Sequence, residues 1–358
     1  MNFSQIASKF MVHHSTQDYC LCSHDHFIFK YFYKTGNLVK LCQLQPINNS
    51  LLARFKDWLA RSFIARSLTN NLGIGHVIQL PSGTILALYG KIYRFDGSSK
   101  YAKITFNYAS KGIASPLKSG VAVHPTSGNA YFGEYVNDSR TVVRIYKIYN
   151  DGRNMECCHQ FINAEIKHIH GIFWDKYRKR LWISTGDKDT ESNLYYTDDE
   201  FTTVVKYAGG NQTWRMVSMA ITPHKLYWGM DAGKDAPADA CNKIMSLDIQ
   251  SKDLKPLVNI GNPAYHMIRT VSGHIYMGTT YEPGMQQETE HAAALWFSQT
   301  GESWEKLKTF PYKASHRKGC TKYAYLFFPT GVSPDDMIML TPINTVQQEF
   351  SMIKYSLN

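Results

Sequence analysis

The sequence predicts an all-β protein, a β-propeller. Three observations predict it: an imperfect internal repeat, near-absence of helical periodicity after residue 70, and 13% aromatic residues, a composition that suits strands. The repeat runs at about 45–58 residues from His76 onward. Its first element is a short apolar strand: Val77–Leu80, Val121–His124, Ile172–Trp174, Met219–Thr222, Met267–Thr270 and Tyr325–Phe328. A turn rich in Pro, Gly, Asp or Lys follows, as in Pro81-Ser82-Gly83 and Pro125-Thr126-Ser127-Gly128. Then comes a second strand, such as Ile85–Tyr89, Leu181–Thr185 or Ile275–Gly278. A longer loop leads to a third strand and often a fourth, as in Val142–Tyr149 and Met155–Phe161. A four-stranded unit of this kind leaves two apolar faces bare, and packing units in a ring buries both. Five units fit between His76 and Tyr312. The C-terminal strands, with the N-terminal hairpin, complete a sixth; seven blades is the alternative.

The first 70 residues differ and read as a separate segment. Phe27–Tyr33 and Leu38–Leu44, joined by Lys34-Thr35-Gly36-Asn37, signal the hairpin. Ser50–Arg66 is predicted as a short helical insertion: Leu51, Leu52, Phe55, Trp58, Leu59 and Phe63 fall near one face, with Arg54, Lys56, Arg61 and Arg66 interspersed. Such a helix either packs on the body or touches a membrane surface or protein partner. Residues 71–358 form the propeller.

The chain has 358 residues and a net charge of +10, and residues 1–70 carry half of that surplus. A basic balance points to an anionic partner: an acidic glycan (an oligo- or polysaccharide), a membrane surface or nucleic acid. Nucleic acid is not expected, because no RRM, KH, zinc-finger or helix-turn-helix pattern occurs. Seven cysteines, odd in number and irregular in spacing, read as reduced thiols. No apolar run approaches the length of a membrane span, and no secretory leader pattern is seen at the N-terminus, so a cytoplasmic location is expected.

In a propeller, the loops after strand 2 and those leading into strand 1 open on one end of the central channel. After strand 2 the sequence places Glu134, Asp187, Asp231 and Glu282, in four successive units. Ahead of or at strand 1 it places His76, His168-x-His170, Trp214-Arg215 and Tyr265-His266. Carboxylates crowded at one mouth shift each other's pKa and need cationic or imidazole partners. Glu134, Asp187, Asp231, Glu282, His168 and His170 are therefore the catalytic candidates. His76, Trp214, Arg215, Tyr265 and His266 are the substrate contacts: Trp214 as a stacking plate, Arg215 as a fixed cation for a carboxylate. No cofactor is expected. The alternative is a divalent metal on His168 and His170, with Asp187 or Glu134. Cys20-x-Cys22-x-His24-x-His26 has the residue types of a metal cluster but no known zinc spacing, and reads as a strand edge. Phosphate-loop and Gly-x-Ser-x-Gly motifs are absent.

Ser298-Gln299-Thr300-Gly301-Glu302-Ser303-Trp304 resembles a loose Asp-box (BNR) motif without its Asp, and Thr197-Asp198-Asp199-Glu200-Phe201 a more degenerate copy. The chain thus resembles sialidase-like, BNR-repeat propellers over most of His76–Tyr312. His168–Asp187, with HIHGIFWD and LWISTGD, is similar to a group of propellers classed as glycosyl hydrolases. The resemblance implies a propeller that acts on or binds glycans, with Asp boxes that stabilise turns rather than catalyse. A sialidase site would need an arginine triad, for which Arg215 is the one match. Two functions follow as expectations: a glycoside hydrolase or polysaccharide lyase at the mouth, or a non-catalytic glycan-binding protein of surface-polysaccharide assembly. A lyase would use His168 or His170 with a nearby Tyr, and Arg215 on a uronate. A metal-assisted hydrolase or lactonase at the same mouth is a third option.

Overall fold

Alternation of apolar side chains along each strand gives every sheet two apolar faces, and the fold buries both. In the strand Arg180–Gly186, Leu181 and Ile183 enter one core, with Ala122, Tyr131 and Ile145. Trp182, pointing the other way, enters a second core with Trp214, Trp228 and Met245. Each large apolar side chain buried in this way contributes roughly 1.5–3 kcal/mol. The arrangement is seen in a computed structural model that describes residues 2–46, 73–118, 120–138, 140–287, 289–314 and 322–357, together with residues 52, 55, 58, 59 and 62.

The protein is an all-β propeller with almost no helix. Three four-stranded sheets are antiparallel and consecutive in sequence, over residues 121–161, 168–209 and 220–261. A fourth joins Tyr325–Phe327, Met337–Ile343 and Ser351–Ser356 to the N-terminal strand Asn2–Ser8, which pairs antiparallel with Ser351–Ser356. Three further four-stranded meanders (residues 11–44, 76–106 and 264–311) run together with Thr330–Ser333 into one 13-stranded sheet. Outside residues 50–66, helix among the described residues is limited to three 3-10 turns of three residues, Ala109–Lys111, Asp189–Glu191 and Gln212–Trp214.

Several expectations need correction. The sheets do not resolve into six blades, nor into the alternative seven. Four stand as separate four-stranded blades, and the rest are fused edge to edge. The hairpin Phe27–Phe32/Leu38–Leu44 does not complete the C-terminal sheet. It belongs to a meander of its own with Met11–Ser15 and Tyr19–His24, and Asn2–Ser8 takes the expected place. Leu38–Leu44 also pairs in parallel with Tyr101–Phe106, across the boundary expected near residue 70. The helix expected over residues 50–66 falls largely outside the described residues; of its apolar face Leu52, Phe55, Trp58 and Leu59 are described, and they are exposed.

The segments Ser298–Trp304 and Thr197–Phe201 lie at strand 3 to strand 4 turns, tied by hydroxyls. The Ser298 hydroxyl accepts from the Gly301 N–H (2.8 Å), and the Thr197 hydroxyl from the Phe201 N–H (2.9 Å). The six described cysteines are all free. No helix among the described residues is long and apolar enough to cross a membrane.

Candidate functional site at the channel mouth

The strand His168–Asp175 pairs antiparallel with Arg180–Gly186, with His168 opposite Gly186 and a register shift between Ile169 and Gly171. An extra residue in one strand re-aims its side chains. Here it brings two buried imidazoles together, with Nε2 of His168 3.1 Å from Nε2 of His170. Asp187 leaves the partner strand directly after Gly186. Its Oδ1 lies 3.1 Å from His168 Nε2 and 3.2 Å from His170 Nε2. Gly186 supplies the space: a Cβ there would stand 2.3 Å from His170 Cε1. On their other sides both rings meet backbone carbonyls, His168 Nδ1 that of Val136 (2.6 Å) and His170 Nδ1 that of Met216 (3.0 Å). Tyr135 stacks on His168 at 4.2 Å. His168, His170 and Asp187 are the group among the described residues that could hold a metal ion.

Arg215 extends this cluster to the next sheets. Its guanidinium lies 3.2 Å from Asp187 Oδ1, 3.4 Å from Asp231 Oδ2 and 3.0 Å from Asp235 Oδ1. Burial disfavours its charge, but the carboxylates of Asp231, Asp187 and Asp235 outweigh that and raise its pKa. Lys167 Nζ holds the second oxygen of Asp187 at 2.6 Å. Burial alone would raise the Asp187 pKa; the hydrogen-bonding and charge of His168 and His170 hold it well below the usual carboxylate range.

Asp231 behaves in the opposite way. Burial, aided by the charges of Glu282, Asp187 and Asp235, drives its pKa well up against the pull of Arg215. Its Oδ1 is buried without a hydrogen-bond partner among the described residues. Glu282 is also raised by burial. The Tyr265 hydroxyl donates to its Oε1, and the Lys234 N–H to its Oε2 at 3.2 Å. Gly233 allows that approach, since a Cβ there would lie 2.7 Å from Glu282 Oε2. Lys234 also bonds Tyr323, whose pKa burial and Glu282 raise.

The structure therefore brings His168, His170, Asp187, Arg215, Asp231, Tyr265 and Glu282 to one mouth. It does not bring Glu134. That carboxylate turns back to its own sheet and the preceding loop, accepting from the Arg144 N–H (3.1 Å) and the Ala114 N–H (3.2 Å). Trp214 is not a stacking plate for a ligand: it is 7% exposed and stacks on Trp228 at 5.5 Å inside the core. His76 and His266 gather instead near Lys118, whose Nζ donates to the Gly75 carbonyl and lies 3.3 Å from His13 Nδ1. Burial, aided by Lys118, holds both His76 and His266 down to about 3. Burial lowers Lys118 to about 7.

Sequence reasoning missed Tyr135, Lys167, Asp235, Lys118 and Tyr323. Lys167 and Asp235 carried a signal, since they adjoin His168 and Asp231 in a mouth already crowded with opposite charge. Toward the opposite end of the same inner strands lies a cavity of about 540 Å³, lined by His14, Gln79, Trp174, Tyr177, Arg269 and Thr330 among others.

Fold and site together define a β-propeller with a buried carboxylate–imidazole–guanidinium cluster at one end of its channel. Neither a protein-family model nor a curated protein sequence matches the chain. Among solved structures it is similar to an oligogalacturonate lyase of Vibrio parahaemolyticus, at 9% identity and a TM-score of 0.56, covering 100% of this chain and 97% of that one. It is similar to a GH74 enzyme of Niastella koreensis at 12% identity and a TM-score of 0.53; 86% of this chain is covered, and it spans about half (47%) of that enzyme. A chain of the mitotic checkpoint complex matches at 10% identity and a TM-score of 0.54, over 100% of this chain and 95% of that one. At these identities the likeness is one of fold.

Proposed function

We propose that this is a carbohydrate-active propeller that hydrolyses an acidic oligosaccharide at the channel mouth, with Asp231 as proton donor. The observation that carries the reading is Asp231 Oδ1, a buried carboxyl oxygen at the mouth with no hydrogen-bond partner among the described residues. A buried carboxyl whose pKa is driven up is suited to give a proton to a leaving glycosidic oxygen. The His168–His170–Asp187 cluster, linked to Asp231 through Arg215, is its basic counterpart. As the C–O bond breaks, Asp231 protonates the departing oxygen and the cluster takes the proton of the attacking water. Tyr135, Tyr265 and Tyr323 supply aromatic surface around this point, and Lys167 and Lys234 supply positive charge for an anionic sugar. Two of the similar folds belong to a GH74 enzyme and an oligogalacturonate lyase, which is consistent with a saccharide substrate.

The lyase alternative needs Arg215 to neutralise a uronate, but the carboxylates of Asp187 and Asp235 already engage that guanidinium. Hydrolysis therefore fits better than elimination. The test is a panel of acidic oligosaccharides scored for new reducing ends and, separately, for unsaturated products. Wild type should release reducing ends without unsaturation, and Asp231→Asn should lower the rate by about 10²–10⁴-fold. Unsaturated products would establish a lyase. Glycan binding with no product in either protein would establish a non-catalytic binder.

A further inference from the structure

We propose that His168 Nε2, His170 Nε2 and Asp187 Oδ1 form the three protein ligands of a divalent transition-metal ion, of the zinc class, leaving a fourth position open. The inference stands on the geometry of these residues and not on the saccharide reading.

The first argument is tautomeric. Each imidazole has its Nδ1 against a backbone carbonyl, which can only accept. Each Nδ1 must therefore carry a proton. That leaves each Nε2 as the ring atom turned toward the other imidazole and Asp187 Oδ1, where an Arg215 nitrogen also stands 3.2 Å from that oxygen. A Nδ1–H held by a backbone carbonyl is how metal-binding histidines are oriented and their Nε2 made basic.

The second argument is metrical. The three atoms form a nearly equilateral triangle with edges of 3.1, 3.1 and 3.2 Å. Ligands about 2.0–2.1 Å from a tetrahedral zinc stand about 3.3 Å apart, so the triangle needs only a few tenths of an ångström of expansion. Two imidazoles and one carboxylate with an open position is a donor set of catalytic zinc and related divalent sites. Charge is compatible as well. Lys167 takes the other oxygen of Asp187, and Arg215, 3.2 Å from Asp187 Oδ1, also has Asp231 and Asp235 to turn to when a metal takes that oxygen. A metal there would occupy the lone pairs that serve as base in the metal-free cluster, and would activate the attacking water at its open position instead.

The test uses the full chain without substrate. Metal-free protein is titrated with Zn²⁺, and with Co²⁺ as a spectroscopic probe. The proposal expects about one equivalent bound and the ligand-field bands of a tetrahedral cobalt site. Affinity should fall at least 10-fold in His170→Gln and in Asp187→Asn, and stay unchanged in Asp231→Asn. Circular dichroism confirms folding; should a ligand variant unfold, the cobalt spectrum of wild type decides. Absence of stoichiometric binding, a cobalt spectrum without tetrahedral bands, or equal affinity in wild type and both folded ligand variants overturns the proposal. Because Asp231→Asn keeps the metal and loses turnover, failure of the metal site and failure of the hydrolase reading are separable.

Discussion

The strands Tyr19–His24 and His168–Asp175 both carry metal-type residues at alternate positions, and of the two only the second assembles them. On Tyr19–His24, Cys20 and Cys22 are fully buried among Val12, Tyr31 and Met352, where burial pushes their thiols up. His24 stacks on Phe10 and bonds the Lys9 carbonyl, while His26 lies against Phe27. On His168–Asp175 the same alternation is broken by a register shift, and a glycine opposite gives the rings room. Asp187 then arrives from the paired strand. Alternation alone sends side chains to a common face. Convergence on a point needs the bulge, the glycine and the partner strand together.

Breaking the second region should have the larger effects. His170→Ala should abolish metal binding and lower turnover at least about 100-fold. Cys22→Ala should leave metal content and turnover alone and cost about 1–2 kcal/mol of stability, read from denaturant unfolding. Gly186→Ala attacks the convergence without touching a ligand. The new methyl meets His170, so metal affinity should weaken about 10-fold, as for a lost supporting group.

Glu134→Gln should lower stability by about 1–3 kcal/mol with kcat intact, because the side chain anchors two backbone N–H groups rather than substrate. The pH dependence has a definite sign. His76 and His266 are held at about 3 when folded, against about 6.5 in the unfolded chain. Between those values the unfolded state binds more protons, so stability present above pH 6.5 is lost as pH falls toward 3. Thermal melts from pH 7 to 4 should show this loss, and His266→Gln should reduce it. Last, His24→Ala, at a half-buried strand end, should change stability by about 1 kcal/mol or less.

Much of this organisation was readable in the residues. The five meanders between His76 and Pro311 announce themselves through apolar strands separated by Pro-, Gly- or Asp-rich turns. Asp187, Asp231 and Glu282 were found because each follows its second strand. Glu134 follows the same rule and fails, because hydrogen bonding to its own sheet and the preceding loop turns it away, and no pattern of residue types reveals that. The meander over residues 11–44 was half hidden: His13, His14, Ser15, Cys20 and Cys22 interrupt the alternation expected of inner strands, although most are buried. Lys118 and Tyr323 lie on loops without periodicity, where only the fold can place them.

The most direct measurement is a crystal structure of the protein grown with Zn²⁺ and soaked with an acidic oligosaccharide, with anomalous data at the zinc edge. The account predicts an anomalous peak about 2.0–2.2 Å from His168 Nε2, His170 Nε2 and Asp187 Oδ1, and a glycosidic oxygen within hydrogen-bond reach of Asp231. Sugar seated in the cavity beside Arg269 and Tyr177, with no peak between the two histidines, would contradict it.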